Sequence, residues 1–518
     1  MRSLILIFTV LVIGACAEEE YPPWPSVSVD GELLVGQYIN SSPVLEFLGI
    51  PFAEPPVGDL RWTAPQPLQS KLERRETTEF AAACMQSMRI LDWYRYMAET
   101  FGGSADYYDD LEVSEDCLYL NLWTPTLDED ARLPVMVWVH GGGNNSGWSY
   151  EKPYDGQLLA PKGVVVVSVA YRHGVFGFLS HPDLKDTDKA TNFGLWDQVA
   201  ALQWIQDNIE RFGGDPDRVT LFGESAGGQN ILALMFAEPA RDLFQRAVLQ
   251  STAGYGLSPP SLDDERARGS AFGDVLGASS IQEMRLVDAE TILQVYTENF
   301  DNYYHSPAID GQLIDQPTWE RIQAQEFDNH DIMIGTNRDE WLDFIKEDAS
   351  TEDLLRAARN NARIGGEEAL TVVADEPDPR RAMDRLITAE KMVCPSQNLA
   401  ANRTASGGKG WVYYFTRQRE DSGGEKVGAF HGAEYSYVFG VHDDYMSTTQ
   451  VDRDLTSVMQ QYWMNFAATG DPNSEGLPQW PMFEWPDAMV QELGNDVRSI
   501  PAVEPELCAA FEAWNATR

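Results

Sequence analysis

The stretch Val219-Thr220-Leu221-Phe222-Gly223-Glu224-Ser225-Ala226-Gly227 joins a short apolar run to a Gly-x-Ser-x-Gly turn, and a second apolar run follows at residues 231–236. The first run predicts a buried strand and the second a helix. A serine on a tight turn between a strand and a helix holds its hydroxyl at the carboxyl edge of a sheet. This context favours a nucleophile elbow at Ser225 over a purely structural Gly-Ser turn.

The rest of the chain alternates apolar β-branched runs with helical patterns, which is typical of an α/β sheet protein. Apolar residues at three- and four-residue steps predict a helix that ends at Phe212-Gly213-Gly214-Asp215-Pro216. No linker-like change of composition divides the chain, so residues 26–518 are predicted to form one large domain with a mostly parallel sheet flanked by helices. The strand candidates are residues 135–139, 164–171, 219–222, 332–334 and 411–415, and the helical positions are Val199, Leu202, Ile205, Ile209 and Phe212.

A serine nucleophile needs donors for the oxyanion that forms when it attacks a carbonyl group. The segment His140-Gly141-Gly142-Gly143 follows a predicted strand, and its glycines let backbone N–H groups turn toward a bound oxygen. The N–H of Ala226 in the elbow supplies a further donor. His140 itself belongs to this loop and is interpreted as structural.

The nucleophile also needs a base, and the base needs an acid to orient it. Four histidines follow Ser225: His305, His330, His431 and His442. His431 lies in a loop of small residues after the last strand candidate, whereas His330 and His442 look like surface residues and His305 like a packed one. Glu340 and Asp339 both follow the strand candidate 332–334. The residues alone leave the choice of base and of acid open.

Several longer motifs carry a family resemblance. The chain resembles the type-B carboxylesterase/cholinesterase family of the α/β-hydrolase superfamily over nearly all of its length after the first 25 residues. The segments that match family signatures are Ile50-Pro51-Phe52-Ala53-Glu54-Pro55-Pro56-Val57-Gly58-Asp59-Leu60-Arg61, Ser114-Glu115-Asp116-Cys117-Leu118-Tyr119-Leu120-Asn121, Asn192-Phe193-Gly194-Leu195-Trp196-Asp197-Gln198 and Asn465-Phe466-Ala467-Ala468-Thr469-Gly470-Asp471-Pro472-Asn473.

The resemblance implies a serine esterase that hydrolyses carboxylic esters through an acyl-enzyme on Ser225, with no metal or organic cofactor. It implies Glu340 as the acid, within Gly335-Thr336-Asn337-Arg338-Asp339-Glu340, and His431 as the base, within His431-Gly432-Ala433-Glu434. The other implied roles are the oxyanion donors Gly142, Gly143 and Ala226, supporting positions at Glu224 and Ser251, and the disulfides Cys84–Cys117 and Cys394–Cys508.

Three departures from the family pattern bear on the substrate. Trp341 stands where glycine is usual, Asn144 where an aromatic residue is common, and Tyr107 where cholinesterases hold a choline-stacking tryptophan. Tyrosine attracts a cation less strongly than tryptophan. We therefore expect a neutral, partly apolar ester rather than a choline ester. A lipase, a cholinesterase and a non-catalytic adhesion protein of the same fold are the alternatives.

The loop between Cys84 and Cys117 is rich in methionine and aromatic residues. It has two interpretations, a roof over an apolar substrate or a segment that is simply packed against the domain. The residues in question are Met85, Met88, Trp93, Tyr94, Tyr96, Met97, Phe101, Tyr107 and Tyr108.

The charge of the chain is strongly negative, because 81 Asp and Glu face 38 Lys and Arg, a net −43 at pH 7. Such a surface repels phosphate backbones, so nucleic-acid binding is not expected. It also disfavours anionic substrates at long range.

The first residues resemble an export signal, with one positive charge, an apolar stretch at 4–13 and small residues at 15–17. Residues 1–17 are predicted to be a signal peptide and 18–25 a short tether. Ile13-Gly14-Ala15-Cys16 resembles a bacterial lipobox, and anchoring through lipidated Cys16 leaves four of the five cysteines to pair. Cleavage after Ala17, with release, is the alternative. A glycosylation sequon at Asn144 lies in the glycine loop, where a glycan would block the site, so either the sequon is unused or the cell does not glycosylate.

Overall fold

Seven parallel strands form the centre of an 11-stranded sheet in the computed structural model. The structure describes residues 24–39, 42–69, 72–185, 189–254, 258–300, 305–360 and 366–516. The described strands, β1 to β16 in chain order, are Ser26–Val29, Glu32–Val35, Gln37–Tyr38, Leu45–Pro51, Arg74–Glu76, Ala83–Cys84, Val113–Ser114, Tyr119–Thr124, Leu133–Val139, Val165–Val169, Gly214–Glu224, Arg246–Gln250, Asp331–Asn337, Gly410–Phe415, Met489–Leu493 and Val497–Pro501.

The order across the large sheet is β16-β15-β14-β13-β12-β11-β9-β10-β8-β4-β3. Seven neighbouring strands, from β15 to β10 in the sheet order, run parallel to one another. At the edges, β16 is antiparallel to β15, and β8, β4 and β3 are joined by antiparallel pairings on the other side. The predicted large, mostly parallel sheet is confirmed. Two small sheets, β1-β2-β5 and β6-β7, lie outside it.

Helices cover both faces of the large sheet. The described helices, α1 to α16 in chain order, are Arg89–Thr100, Gly174–Phe178, Phe193–Asn208, Ala226–Leu234, Leu262–Leu276, Ile281–Arg285, Ala289–Phe300, Thr318–Gln323, Thr351–Asn360, Gly366–Val372, Pro379–Thr388, Cys394–Ala405, Ser422–Val427, Tyr435–Phe439, Gln450–Thr469 and Pro505–Ala516. A π-helical turn, Ala389–Val393, joins α11 to α12.

Alternate residues of the central strands pack into two separate cores. Val135 and Val137 of β9 lie in the core that includes α3 and α4, whereas Met136 and Trp138 lie in the core that includes α14 and α15. Both faces are therefore apolar, which is why these strands are continuous hydrophobic runs rather than alternating ones.

The helix predicted before the elbow is α3, and the chain continues from it as a 3-10 turn, Ile209–Phe212. Gly213 ends that turn in the left-handed conformation, with φ 77°. The next residues differ from the prediction, because Gly214 already begins β11 and Pro216 lies within it. The helix after the elbow starts at Ala226, five residues earlier than the apolar run indicates.

Two disulfide bonds close long loops, Cys84–Cys117 and Cys394–Cys508, as the resemblance implies. The first joins β6 to the residues before β8, and the second joins the start of α12 to α16. Disulfides are typical of oxidising compartments, so they are consistent with export. The predicted signal peptide and nearly all of the tether, including Cys16, lie outside the described residues.

Among the described residues, every helix is too short or too polar to cross a bilayer.

Candidate active site

Ser225 stands between β11 and α4, at the carboxyl edge of the sheet. Its backbone has φ 55° and ψ −123°, a conformation that side chains rarely adopt and that is typically imposed by surrounding structure at functional sites. The Ser225 N–H donates to Gln250 O at 2.9 Å, and the Ser225 carbonyl accepts from the Thr252 hydroxyl at 2.7 Å. These bonds to the segment that ends β12 hold the elbow in place.

The two glycines of the elbow are required by close contact with β9. A Cβ atom on Gly223 would lie 2.5 Å from Val139 O, and one on Gly227 would lie 2.0 Å from the same oxygen. Any larger residue would push the nucleophile turn away from the neighbouring strand. The Gly-x-Ser-x-Gly pattern thus has a steric cause on both sides of Ser225.

The glycine loop that follows β9 lies against the elbow. A Cβ atom on Gly141 would be 3.2 Å from Ser225 Cβ. Gly142 and Gly143 both have positive φ, +100° and +66°, and the Gly142 carbonyl accepts from the N–H groups of Asn145 and Ser146. Ala226 is the first residue of α4, where backbone N–H groups have no partner within the helix. Gly141 thus lies beside Ser225, and Gly142 and Gly143, two of the expected oxyanion donors, follow it directly in the chain.

This location coincides with the point where the sheet order reverses. The chain passes from β9 to β10 on one side and then to β11 on the other. In open α/β sheets such a reversal leaves a crevice at the carboxyl ends of the strands, where ligands bind.

His431 is hydrogen bonded to Glu340, with 2.6 Å between Nδ1 and Oε2. Glu340 is fully buried, and its other oxygen accepts from the Asn337 N–H at 2.7 Å. Asp339, the rival acid in the sequence, instead accepts from the Ala429 N–H at 2.7 Å. The structure therefore joins His431 to Glu340 and gives Asp339 a different contact.

The second ring nitrogen of His431 faces another carboxylate, with 3.0 Å between Nε2 and Glu224 Oε1. Burial lowers the pKa of His431, but the nearby Glu224 and Glu340 outweigh it and raise the pKa above its usual value. Burial also raises the pKa of Glu224, although His431 opposes that rise. The imidazole thus lies between two carboxylates that both favour its protonated form.

The remaining histidines are packed elsewhere. His140 is buried and stacked on Tyr171, with 4.6 Å between ring centroids. His305 is also buried. The surface assignment of His330 is wrong, because it is 2% exposed and stacked on Phe244. That of His442 is wrong too, since its ring is part-buried between Arg419 and Thr456, to which both its nitrogens are hydrogen bonded.

Two residues proposed to line the substrate pocket have different surroundings. Trp341 stacks nearly parallel to His431, with ring centroids 6.3 Å apart. Asn144 is fully buried, and its side-chain amide donates to Asn230 Oδ1 at 3.1 Å and to His305 O at 2.9 Å. The Asn144 amide thus holds the oxyanion loop to α4, and in this folded state a glycan has no access to it.

Tyr107 and Ser251 complete the predicted set. The Lys152 ammonium lies 4.1 Å from the centroid of the Tyr107 ring. Ser251 is buried and its N–H donates to Gly335 O at 2.8 Å, but its hydroxyl has no hydrogen-bond partner among the described residues. Ser251 therefore supports strand β13 through its backbone.

Sequence reasoning missed a polar group beneath the triad. Glu434 is fully buried and accepts from Gln250 Nε2 at 3.0 Å and from Asn337 Nδ2 at 2.5 Å. Asn337 also donates to Phe430 O at 2.7 Å. Asn337 and Glu434 lie within the family motifs Gly335–Glu340 and His431–Glu434. Their presence in these motifs was the signal from which their burial could have been predicted.

A family model described as the carboxylesterase family matches residues 25–504. The chain belongs to the carboxylesterase family. Among its relatives, liver carboxylesterase 1 of Oryctolagus cuniculus is 32% identical over 97% of this chain and 96% of the relative. Carboxylesterase 1D of Rattus norvegicus is 33% identical over 92% of this chain and 90% of the relative.

Acetylcholinesterase of Electrophorus electricus is 31% identical over 92% of this chain and 85% of that protein. The resemblance inferred from the motifs is confirmed, and with it the α/β-hydrolase fold and the class of carboxylic ester hydrolases.

Proposed function

We propose that this carboxylesterase acts through Ser225 as nucleophile, His431 as base and Glu340 as the acid that orients it. The observation that carries the proposal is the 2.6 Å bond between His431 and Glu340 next to an elbow that holds Ser225 at a positive φ. A buried carboxylate on Nδ1 fixes the tautomer of the imidazole and stabilises its cation.

The reaction follows from these roles. His431 Nε2 takes the proton of the Ser225 hydroxyl while the oxygen attacks the ester carbonyl carbon. The N–H groups of Gly142, Gly143 and Ala226 stabilise the oxyanion, and each such donor typically contributes about 3–4 kcal/mol in the transition state. His431 then gives the proton to the leaving alcohol. A water molecule, deprotonated by the same nitrogen, attacks the acyl-enzyme and releases the acid.

The Glu224 carboxylate has to release His431 Nε2 before the first step of the reaction can occur. Its carboxylate lies at Nε2, the nitrogen that must be free and neutral to accept the serine proton. When the carboxylate is protonated or displaced by substrate, Nε2 becomes available as the base. If Glu224 is displaced but still ionised, its negative charge then stabilises the imidazolium that forms as Ser225 attacks, whereas a protonated Glu224 supplies no such charge.

The substrate that we propose is a neutral, partly apolar ester. The rings of Trp341 and Phe344 lie 6.3 and 6.5 Å from the His431 ring, and Phe344 is 51% exposed, so an apolar surface borders the base. A cationic leaving group is disfavoured at Tyr107, because the Lys152 ammonium already lies over that ring. This observation supports an esterase over a choline-specific enzyme.

The loop between Cys84 and Cys117 is proposed to roof the site. Trp93 of α1 donates from Nε1 to Asp343 Oδ2 at 3.0 Å, three residues after Glu340. The Trp93 ring also lies 6.2 Å from the ring of Phe430, next to His431. Met97 and Phe101 of the same loop are buried in the core, and together with the Trp93 contacts this supports a loop that packs against the domain and also covers the site.

We further propose that residues 1–17 direct export and that Cys16 carries a lipid anchor. The two disulfides use four of the five cysteines, which leaves Cys16 as the odd one. The mass of the mature N-terminal peptide tests this: a diacylated Cys16 supports the anchor, and a free terminus after Ala17 contradicts it.

Stoichiometric labelling with a p-nitrophenyl phosphonate tests the proposed nucleophile. We expect release of one p-nitrophenol per chain and a phosphonyl group on the peptide that contains Ser225. The Ser225→Ala variant is expected to remain unlabelled, and His431→Gln to label at least a hundred times more slowly. Labelling of a different serine, or equal labelling of Ser225→Ala, would refute the assignment.

A further inference from the structure

The last residue of β13 and the turn that follows it contact the His431 loop at three successive loop residues. Asp339 Oδ2 accepts from the Ala429 N–H at 2.7 Å, Asn337 Nδ2 donates to the Phe430 carbonyl at 2.7 Å, and Glu340 bonds to His431. Residues 337–340 thus form hydrogen bonds to the loop at residues 429, 430 and 431. Two of these contacts are to the backbone, so they set the position of the loop independently of its side chains.

The contact between Asp339 and Ala429 is doubled. Besides the side-chain bond, the Asp339 N–H donates to the Ala429 carbonyl at 3.1 Å. Both backbone polar groups of Ala429 are therefore satisfied by a single residue. Ala429 is fully buried and stands two residues before His431, so a shift at this point is transmitted to the imidazole over a short length of chain.

Gly428 shows how close the approach is. It has φ +67°, and a Cβ atom built on it would lie 2.2 Å from Asp339 Oδ2. Only glycine leaves room for the carboxylate at this distance and adopts this conformation without strain. The loop residue and the carboxylate are thus fitted to each other.

Two arginines also contact the carboxylate of Asp339. Arg338 Nη2 lies 2.7 Å from Asp339 Oδ2, and Arg381 Nη1 lies 3.8 Å from Oδ1. Asp339 is only 5% exposed. A buried, ion-paired carboxylate has one position available to it, which suits a group that defines the place of a neighbouring loop.

We propose that Asp339 is a positioning residue, which keeps His431 at hydrogen-bonding distance from Glu340 by anchoring the backbone of Ala429. Asp339 takes no part in proton transfer. The proposal rests on His431 acting as the base in the proposed function. It explains why an acidic residue directly before the acid is kept inside the protein without contacting the imidazole.

The test compares Asp339→Leu with Asp339→Asn in the full chain. Asparagine keeps an acceptor oxygen for the Ala429 N–H, whereas leucine has a similar size and none. We expect Asp339→Leu to lower kcat for a p-nitrophenyl ester at least tenfold with KM changed less than twofold, and Asp339→Asn to stay within threefold of the parent. Gly428→Ala, which displaces the carboxylate without removing it, should lower kcat in the same way as leucine.

A pH profile separates positioning from loss of folding. If His431 moves away from Glu340 in Asp339→Leu, its pKa falls and the acid limb of kcat/KM shifts to lower pH, which a smaller folded fraction does not produce. Asp331→Leu is the matched control, because Asp331 begins the same strand at the edge opposite the site. Its pH profile should match that of the parent chain.

The His431→Gln variant distinguishes failure of the proposed base from failure of the proposed role of Asp339. If His431→Gln keeps the parent activity, the proposed base is wrong. If His431→Gln is inactive but folded Asp339→Leu has the parent kcat and pH profile, the positioning role of Asp339 is refuted while the base stands. Equal losses in Asp339→Asn and Asp339→Leu, in proportion to the folded fraction, would also refute it.

Discussion

Glu224 Oε1 lies 3.0 Å from His431 Nε2, the ring nitrogen opposite the one that bonds to Glu340. The residue directly before the proposed nucleophile, Ser225, thus contacts the nitrogen that accepts the serine proton in the proposed mechanism. Its negative charge has two opposing effects. It holds the resting imidazole in the protonated form, and it stabilises the imidazolium once the reaction begins.

The first prediction concerns the pH dependence of activity. The carboxylates of Glu224 and Glu340 raise the pKa of His431 against the opposing effect of burial. Replacing Glu224 with glutamine removes one of these charges, so the pKa of His431 falls. We expect the acid limb of the kcat/KM profile to move to lower pH in Glu224→Gln.

The measurement is the kcat/KM profile for p-nitrophenyl butyrate from pH 5 to 10. Glu475→Gln, at an exposed loop position, is the control and should leave the profile unchanged. An unshifted or alkaline-shifted limb in Glu224→Gln would show that Glu224 does not control the protonation of the base.

The second prediction concerns selectivity for cations. Lys152 lies 4.1 Å from the Tyr107 ring centroid and 5.4 Å from that of Tyr108. Replacing it with glutamine frees the ring and removes a positive charge. A cation–π contact contributes about 0.5–1 kcal/mol at an exposed site, so we expect acetylthiocholine to improve about two- to fivefold relative to its neutral analogue, 3,3-dimethylbutyl thioacetate.

The ratio of kcat/KM for these two thioesters is the quantity to compare between the parent and Lys152→Gln. Lys409→Gln carries the same charge change at the opposite edge of the sheet and should not alter the ratio. If both variants change it equally, the effect is one of overall charge and not of the Tyr107 ring.

The third prediction concerns acid stability. Burial lowers the pKa of His330 to about 4. The unfolded chain takes up this proton below about pH 6.5 and the folded chain does not, so stability that is present above that pH is lost as the pH falls toward 4. His330→Phe keeps an aromatic ring against Phe244 and removes the titration.

Urea unfolding at pH 7 and pH 5 measures this effect. We expect the parent chain to lose about 1–2 kcal/mol more between these values than His330→Phe does. Identical losses in the two proteins would mean that His330 is protonated as readily in the folded state as in the unfolded one.

The fourth prediction separates the two disulfides. Cys394–Cys508 spans 114 residues and Cys84–Cys117 spans 33. By chain entropy the longer loop stabilises by about 1 kcal/mol more. Replacing Cys394 and Cys508 with alanine should therefore lower Tm more than removal of Cys84–Cys117 does. We expect kcat to stay unchanged, because among the described residues no hydrogen bond or ion pair joins either cysteine to Ser225, Glu340 or His431.

Removing Cys84–Cys117 should lower Tm less but change KM for long-chain esters, because its loop is the proposed roof. Thermal unfolding and an ester series on both double variants supply the comparison. A roof variant with the parent's acyl-chain preference would contradict the covering role of this loop.

Most of the sheet could be predicted because its central strands are buried on both faces. Runs such as that of β10, in which all five residues are buried, are typical of strands covered on both faces of a parallel sheet. The elbow could be predicted for a related reason, since Gly223 and Gly227 are required by contact with Val139. A close backbone contact of this kind restricts both positions to glycine, and the glycines are visible in the sequence.

The choice between Asp339 and Glu340 could not be made from the residues themselves. Both are buried acids after the same strand, and they differ only in which part of the His431 loop each one meets. The burial of His330 was missed for a similar reason. A single polar residue before a strand does not predict a distant partner such as the Phe244 ring, which stacks on it. The family resemblance favoured Glu340, and the structure shows that Glu340 rather than Asp339 is hydrogen bonded to His431.

Hydrolysis of p-nitrophenyl esters from acetate to palmitate by the mature chain and its Ser225→Ala variant is the decisive measurement of the proposed role of Ser225. We expect activity on the shorter esters that falls at least ten-thousandfold in the variant, with no change in Tm. Equal activity in the two folded proteins, or none in either across the whole series, would contradict the assignment of Ser225 as the nucleophile of an esterase.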